Sequence, residues 1–344
     1  MSYWQTLDMR YFRRPENWDE IFGRKAPLIV EIGFGRANHL IHLGKLHPDK
    51  NVVGIEVSRP SLKKASQKVR TQKLSNVRVI DGSGPSLLWQ HVALASIAEL
   101  HINFPDPWYK EGHHQRRLIN DTFLHLAATR MLPDAKLFIA TDHPSYQPVV
   151  TACLEATPYF DSRLETTYTT VDTERFRTKY EMKALREGRV SFYYKWVRNE
   201  TAAPNQFEIP KELPMPHAII TSPLTIAEIR DRFEPFQLIE KDRLFVAGFK
   251  QVFESAEYAT LLVETYIKQA PQDQRVGLLI VEREPNEYII KLHDIGFPRA
   301  TEGVHYAVGC LAKWVTGLHA DARIVKHTLQ RFESRAADEA PDTE

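Results

Sequence analysis

The stretch PLIVEIGFGRANHL, residues 27–40, carries most of the information about the fold. It starts as an apolar β-type run, turns at Gly33 and Gly35, and continues into NHLIHLGKLH, whose apolar spacing is typical of a helix. A buried strand that passes through a glycine turn into a helix opens a strand–helix–strand unit. The stretch therefore predicts a parallel sheet with helices packed on it.

The same alternation continues to about residue 200. Further strands are predicted at NVVGIEV, NVRVI, AELHINF, AKLFIATD and VSFYYKWVR. Helices are predicted at SLKKASQKVRTQK and RRLINDTFLHLAATRML. We therefore expect an α/β fold, a doubly wound and Rossmann-like parallel sheet, as a first domain over residues 1–200.

The chain changes character after residue 200. The polar segment NETAAPNQFEIPKELPMP holds four prolines and predicts a linker at 201–216. Beyond it, strand-like runs outnumber helical ones, which favours a smaller α+β domain at 217–333. A disordered acidic tail is expected at 334–344. This second domain is interpreted as an RNA-positioning arm, a stabilising extension or a dimer contact.

Charge is distributed unevenly along the 344 residues. The net charge is only +1, but residues 1–203 hold 29 basic and 22 acidic side chains, whereas residues 204–344 hold 16 and 22. A basic front half suggests a polyanionic partner. No apolar run is long enough to span a bilayer, and the N-terminal residues lack a secretory-signal pattern. With Cys153 and Cys310 as the only cysteines, a disulfide framework is excluded and a cytoplasmic protein is expected.

The glycine turn indicates a nucleoside-containing cofactor. Counted from Gly33, the final position of a G-x-G-x-x-G fingerprint is Asn38, so a dinucleotide site is not predicted. The next strand ends at Glu56, where a carboxylate can accept hydrogen bonds from ribose hydroxyls. Together with Glu31, this pattern favours S-adenosylmethionine. After the third strand, Asp81 and Ser83 are alternative residues to face the adenine.

The loop after AELHINF, Asn103 to Lys110 (NFPDPWYK), is the second chemical signal. Prolines on both sides of Asp106 fix the backbone, so its carboxylate is held on a stiff loop. Trp108 and Tyr109 offer flat faces to an unstacked base. The cations that follow oppose the dipole of a helix N-terminus, which indicates an external anion. We do not expect a metal site at the adjacent His113 and His114, because their side chains point apart.

Five segments in this order resemble the bacterial tRNA (guanine-N7-)-methyltransferase family: EIGFGRANHL, GIEV, NFPDPWYKEGHHQRRL, ATDHPSY and TKYE. The resemblance covers roughly residues 25–198. It implies a class I methyltransferase that uses S-adenosylmethionine to methylate N7 of the variable-loop guanine, position 46, of tRNA. It implies no metal ion.

The resemblance also implies roles for single residues. Asp106 resembles the proposed catalytic acidic residue, close to both the cofactor and the guanine. Glu31, Gly33, Gly35 and Glu56 resemble cofactor contacts. The residues that resemble tRNA contacts are Lys110, His113, His114, Arg116, Arg117, Asp142, Thr178, Lys179, Tyr180 and Glu181. Asp142 also suits the cap of a helix that begins near Pro144. Ala37 stands where many members carry a third glycine.

Two other functions compete with this interpretation. Asn-x-Pro-Asp-Pro-Trp resembles the Asn-Pro-Pro-aromatic loops of amino methyltransferases, which suggests methylation at another nucleic-acid position. A non-catalytic RNA-binding protein with a decayed cofactor pocket is the second alternative. The Asp at the middle position and the basic run behind it disfavour the first. The presence of Glu31, Glu56 and Asp106 disfavours the second.

Overall fold

The computed structural model describes residues 6–9, 12–173, 176–177, 181–182, 186–209, 213–240, 245–271, 273–295 and 298–330. The chain divides into two compact units, residues 1–209 and 210–344. Each unit has its own apolar core. None of the helices in the described part combines the length and apolar character that crossing a bilayer requires.

The first unit is built on an eight-stranded sheet. Its strands are β1 Thr6–Asp8, β2 Leu28–Ile32, β3 Asn51–Glu56, β4 Val77–Asp81, β5 Ile97–Asn103, β6 Met131–Thr141, β7 Phe160–Ser162 and β8 Phe192–Arg198. They lie in the order β1-β4-β3-β2-β5-β6-β8-β7. Strands β1 to β6 pair in parallel, and β8 runs antiparallel to both β6 and β7. The strand order reverses between β2 and β5, which is where ligands bind in open α/β sheets.

Helices cover both faces of this sheet. They are α1 Trp18–Phe22, α2 Asn38–Leu46, α3 Arg59–Thr71, α4 Gly84–His91, α5 Asp121–Arg130 and α6 Gln147–Ala156. Helices α2 and α3 pack on one face, and α1, α4, α5 and α6 contribute to the core on the other. All five residues of β2 are buried, as expected for a strand covered on both sides.

The predicted parallel sheet and the late strand β8 are confirmed. The helix predicted over 116–132 is shorter, because the side chain of Asn120 accepts the Phe123 amide at 2.9 Å and caps α5 there. A 3-10 turn, Glu111–Arg116, occupies the preceding basic stretch. Helices α1 and α4 and strands β1 and β7 are eight residues or shorter and gave no usable periodicity.

Residues 201–209, which the sequence assigns to a linker, pack against the first unit instead. Phe207 is buried in its core. Arg130 donates to the Phe207 carbonyl at 2.8 Å, and the Trp89 indole donates to the Glu208 carbonyl at 2.9 Å. Buried donors need such partners, so this segment completes the first unit. Its own proline, Pro204, and the three prolines that follow at 210–216 made it resemble a linker.

The second unit is a seven-stranded antiparallel sheet, which confirms the α+β prediction. Its strands are β9 His217–Thr221, β10 Phe236–Glu240, β11 Phe245–Glu254, β12 Thr260–Lys268, β13 Gln274–Glu284, β14 Glu287–Leu292 and β15 Arg323–His327, in the order β10-β11-β12-β13-β14-β9-β15. Helices α7 Ile226–Asp231 and α8 Glu302–Thr316 bury their apolar sides with the sheet. The acidic tail expected at 334–344 lies outside the described residues.

Candidate active site

A cavity of about 630 Å³ opens at the carboxyl ends of the parallel strands, beside the reversal between β2 and β5. This volume suits a small-molecule cofactor. Its walls come from the ends of four neighbouring strands and from the loops that follow them. The principal lining segments are Glu31–Arg36, Ile55–Val57, Gly82–Pro85 and Asn103–Asp106, with Trp108, Arg116, Asp142 and Arg189 at other points.

The glycine loop requires its glycines for backbone angle. Gly33 and Gly35 have φ values of +73° and +50°, and a side-chain methyl at either position would meet no atom within 4 Å. Left-handed angles, which L side chains rarely adopt, are therefore the constraint. Ala37 also has a positive φ, +58°, at the start of α2. Glycine at this position would adopt that angle without strain.

Glu56 fastens the glycine loop to the end of β3. One carboxylate oxygen accepts the Gly35 amide at 2.8 Å, and the other accepts the amides of Val57 and Ser58 at 2.9 and 3.0 Å. A carboxylate offers about four acceptor positions, so capacity remains for ribose hydroxyls. The Val57 side chain is exposed and lines the same cavity. It places an apolar surface beside the Glu56 carboxylate.

Glu31 has one carboxylate oxygen engaged and one unengaged. Oε1 accepts Asn103 Nδ2 at 3.0 Å and lies 3.2 Å from His39 Nδ1. Oε2 is buried and has no hydrogen-bond partner among the described residues. A buried carboxylate oxygen without a partner costs free energy, and Glu31 lines the cavity. An ammonium group on a ligand would supply the missing partner.

The surroundings of Glu31 keep it ionised. Burial alone would raise the pKa of Glu31, but the charge of His39 and the hydrogen bonds from His39 and Asn103 outweigh it. The pKa therefore lies below its ordinary value. At neutral pH the cavity contains a negative charge that is only 1% exposed.

A second buried polar group lies behind Glu31. Glu99 accepts Lys50 Nζ at 2.7 Å and lies 3.3 Å from His101 Nε2. Burial lowers the pKa of His101 to about 4, although Glu99 acts in the opposite direction. His101 is therefore neutral at pH 7, and Lys50 compensates the charge of Glu99. Glu99, His101 and Asn103 alternate along β5, so period-two spacing was the sequence signal that could have found them.

The loop that carries Asp106 is held in an unusual conformation. Phe104 and Trp108 have φ values of +53° and +41°, which are uncommon for residues other than glycine. The Phe104 amide donates to the Ala140 carbonyl at 2.8 Å, and Arg117 Nε donates to the Pro107 carbonyl at 2.8 Å. These bonds anchor both ends of the loop. Asp106 is exposed between them and lines the cavity.

Arg117 differs from its expected role. The family resemblance implies that it contacts RNA together with its basic neighbours. In the structure it is buried, with its guanidinium carbon 5.3 Å from the centre of the Tyr146 ring. Its donation to Pro107 therefore supports the Asp106 loop from inside. A run of identical charges does not reveal which side chain turns inward.

Glu181 is also inside the protein. It is fully buried, and the Tyr193 hydroxyl donates to its Oε1 at 2.6 Å. A direct RNA contact by this side chain is inconsistent with that burial. Thr178, Lys179 and Tyr180, the other members of the TKYE segment, lie outside the described residues. Their roles stay predictions.

The remaining predicted RNA residues follow the Asp106 loop, and of them Arg116 lines the cavity. Lys110, His114 and Arg116 are exposed, and His113 is half-buried. The Arg116 guanidinium lies 5.0 Å from the centre of the Trp108 ring, so one face of this indole is already covered. Tyr109 is 66% exposed and remains available as a stacking surface.

Asp142 belongs to an ion-pair network at the rim. Its carboxylate accepts from Arg189, which also pairs with Glu187 at 3.0 Å. Helix α6 begins at Gln147 without a side-chain cap, so Asp142 is not a helix cap. Arg189 lines the cavity but lies in an irregular segment, and no sequence motif marks it. Its ion pair with Asp142 holds it at the site.

The two alternatives for the adenine differ in position. Ser83 lines the cavity, and its hydroxyl caps α4 by accepting the Ser86 amide at 3.3 Å. Asp81 is absent from the lining residues, and its carboxylate lies 4.0 Å from Arg59 Nε. Ser83 therefore has the better placement. In the described part of the chain, no cluster of three or more His, Cys, Asp or Glu side chains could hold a metal ion.

The chain resembles known proteins over different lengths. Residues 25–194 match a protein family described as putative methyltransferase. A tRNA (guanine-N(7)-)-methyltransferase of Alkalilimnicola ehrlichii is 35% identical over 53% of this chain and 78% of its own length. An enzyme with the same description from Burkholderia mallei is 37% identical over 50% of this chain and 65% of its own length. Another from Thermotoga maritima is 29% identical over 90% of this chain and 95% of its own length, so this match extends into the second unit.

The first unit has a parallel sheet with an antiparallel pair at one edge, a glycine loop after β2 and the carboxylate of Glu56 at the end of β3. Together with the family match, these features define a class I S-adenosylmethionine-dependent methyltransferase. The fold prediction is thereby confirmed. The chain belongs to the tRNA (guanine-N7-)-methyltransferase family.

Proposed function

We propose that this protein transfers the methyl group of S-adenosylmethionine to N7 of the variable-loop guanine, position 46, of tRNA. One observation carries the proposal: a single cavity joins the unengaged oxygen of buried Glu31 to the anchored loop of Asp106. The first is suited to a cofactor ammonium, and the second to a base at the rim. A tRNA substrate is consistent with a cytoplasmic enzyme.

The residues present fit the cofactor. Glu31 would accept its ammonium group, and Glu56 its ribose hydroxyls. Val57 and Ser83 would border the adenine, and the backbone of Gly33 and Gly35 would allow close approach. When bound, S-adenosylmethionine supplies an electrophilic methyl group on a sulfonium. Neither a proton transfer to or from N7 nor a metal ion is required, because N7 of guanine already carries a free lone pair.

The protein therefore contributes alignment and charge stabilisation. Guanine gains positive charge as N7 forms its bond to carbon, and the exposed carboxylate of Asp106 is suited to stabilise that charge. The same carboxylate can accept from the N1–H and N2–H donors of the base. The Phe104 and Arg117 bonds fix its position. A paired guanine has to leave its stack to reach this site.

Around the cavity, exposed cations would hold the RNA backbone. Lys110, His114 and Arg116 are exposed donors for phosphates, and Tyr109 offers a stacking face. The amino-methyltransferase alternative is disfavoured by Asn103, whose amide is already engaged with Glu31. The decayed-pocket alternative is disfavoured by the preserved cavity and its buried carboxylate.

The proposal is tested by methyl transfer from labelled S-adenosylmethionine to an unmodified tRNA transcript. A matched transcript differs only by adenosine at position 46. We expect label on the first transcript and background on the second. Equal labelling of both would contradict the proposed position, and absence of label from both would contradict the proposed substrate.

A further inference from the structure

A second basic surface lies on α3, away from the Asp106 loop. Residues 57–80 contain no Asp or Glu and seven basic side chains: Arg59, Lys63, Lys64, Lys68, Arg70, Lys73 and Arg78. Leu62, Ala65 and Val69 bury the apolar side of the helix. Most of the charges therefore face outward. Neither the cofactor contacts nor the catalytic loop uses them.

Part of this surface forms a cleft of about 310 Å³ between α3 and the loop that precedes α2. Its lining side chains are three cations and two amides, with no carboxylate: Arg36, Asn38, Lys64, Gln67 and Lys68. Lys68 Nζ donates to the Arg36 carbonyl at 2.6 Å and to Asn38 Oδ1 at 2.5 Å. These bonds tie α3 to the glycine loop and give the cleft a defined shape.

The cleft adjoins the cofactor cavity. Arg36 and Asn38 line both the cleft and the cofactor cavity. An anion in the cleft would therefore lie next to the ligand in the cavity. Guanidinium, ammonium and amide donors around one small space are the groups that bind a phosphate.

We propose that this cleft binds a backbone phosphate of the tRNA close to the nucleotide being methylated, an inference that rests on the proposed tRNA substrate. RNA is favoured over a free anion because the cleft is continuous with an extended charged surface. The cations of α3 continue beyond it, and a polyanion can neutralise several of them at once.

Two adjacent lysines provide a matched test. Lys63 and Lys64 are both exposed and carry the same charge, but only Lys64 lines the cleft. Lys64→Gln and Lys63→Gln are compared in the full-length protein by filter binding of tRNA transcript over a range of KCl concentrations. Methyl transfer and calorimetric titration with S-adenosylmethionine are measured on the same preparations.

Loss of one phosphate contact lowers the salt slope of log Kd by about 0.9, which corresponds to roughly five-fold weaker binding near 0.15 M salt. We expect this loss for Lys64→Gln, an unchanged Kd for S-adenosylmethionine, and a smaller loss of tRNA affinity for Lys63→Gln, which belongs to the charged surface but does not line the cleft. Equal effects of both substitutions, or none, would overturn the cleft as a phosphate site. Weaker cofactor binding by Lys64→Gln would reassign the cleft to the cofactor and overturn it too.

The two readouts separate this inference from the proposed function. If the wild-type protein binds tRNA with the expected dependence on Lys64 but transfers no methyl group, the cleft is supported and the reaction is contradicted. If it methylates position 46 and Lys64→Gln binds like Lys63→Gln, the reaction stands and the cleft is contradicted. Inorganic phosphate is added at millimolar concentration as a competitor of tRNA. If the protein binds phosphate as tightly as it binds tRNA, the cleft takes a free anion, and the RNA contact is overturned.

Discussion

Replacing Glu31 by glutamine removes the buried negative charge while preserving the shape of the side chain. Glu31 is 1% exposed, and its Oε2 has no partner among the described residues, so a cofactor ammonium would make its hydrogen bond without competition from water. A hydrogen bond to a charged group contributes about 1.5–3 kcal/mol. If the hydrogen bond to Glu31 contributes about 2–3 kcal/mol of binding free energy, Glu31→Gln weakens S-adenosylmethionine binding roughly 30- to 150-fold.

Stability should change in the same direction as affinity. The pKa of Glu31 lies below its ordinary value because the charge of His39 and two hydrogen bonds outweigh burial, so the ionised carboxylate stabilises the fold at neutral pH. We therefore expect the melting temperature of Glu31→Gln without cofactor to lie below that of the wild type. Calorimetric titration gives the Kd for S-adenosylmethionine and S-adenosylhomocysteine, both of which carry the ammonium group. Thermal unfolding of the same samples gives the stability.

Glu99→Gln is the matched control. Glu99 is also a buried glutamate, but it pairs with Lys50 at 2.7 Å and does not line the cofactor cavity. Its replacement leaves Lys50 without its anion and should lower the free energy of unfolding by about 1–3 kcal/mol. The cofactor Kd should remain within about three-fold of the wild type, a change below 1 kcal/mol. An unchanged Kd for Glu31→Gln, or equal losses of affinity in the two variants, would refute the reasoning.

Three further predictions concern the loop, the buried histidine and the end of the first unit. Asp106→Asn should lower kcat roughly 100-fold and leave the cofactor Kd nearly unchanged; a near-normal kcat in methyl-transfer assays would remove Asp106 from the chemistry. The unfolded chain protonates His101 near pH 6.5 and the folded chain only near pH 4, so the stability that the neutral ring contributes is complete above pH 6.5 and is lost as pH falls towards 4. This loss amounts to about 3 kcal/mol in urea unfolding, and His101→Gln should flatten the profile by that amount. Truncation after Ile209 should leave a cooperatively folding unit. Truncation after residue 200 should lower the free energy of unfolding by roughly a further 3 kcal/mol, because the burial of Phe207 and two buried hydrogen bonds are lost. Equal melting temperatures of the two truncated proteins would contradict the assignment of residues 201–209 to the first unit.

Much of the fold was predictable because its signals are local. The apolar run at 28–32, the glycine turn and the following helical spacing define β2 and α2 without knowledge of the rest of the chain. The carboxylates at the strand ends were predictable for a related reason. In a parallel sheet, the carboxyl ends of the strands lie at one edge, and Glu56, at the end of β3, and Asp106, in the loop after β5, both line the cavity there.

The parts that were missed depend on packing between distant segments. Arg117 and Arg116 are adjacent and chemically identical, yet one holds the loop from inside and the other covers Trp108 from outside. His39 and Arg189 reach the site only because α2 and the segment before β8 pass beside it. Residues 201–209 resembled a linker because they lead into the prolines at 210–216, which are visible in the sequence. The buried donors of Arg130 and Trp89 that they satisfy are not visible there.

The reacting atom of the substrate provides the sharpest test. In a tRNA carrying 7-deazaguanosine at position 46, a C–H group replaces N7 and every Watson–Crick donor and acceptor is kept. We predict that this tRNA accepts no methyl group from labelled S-adenosylmethionine and inhibits methylation of the normal transcript with an inhibition constant near its KM. Labelling of the 7-deaza tRNA at a rate similar to that of the normal transcript would contradict methyl transfer to N7.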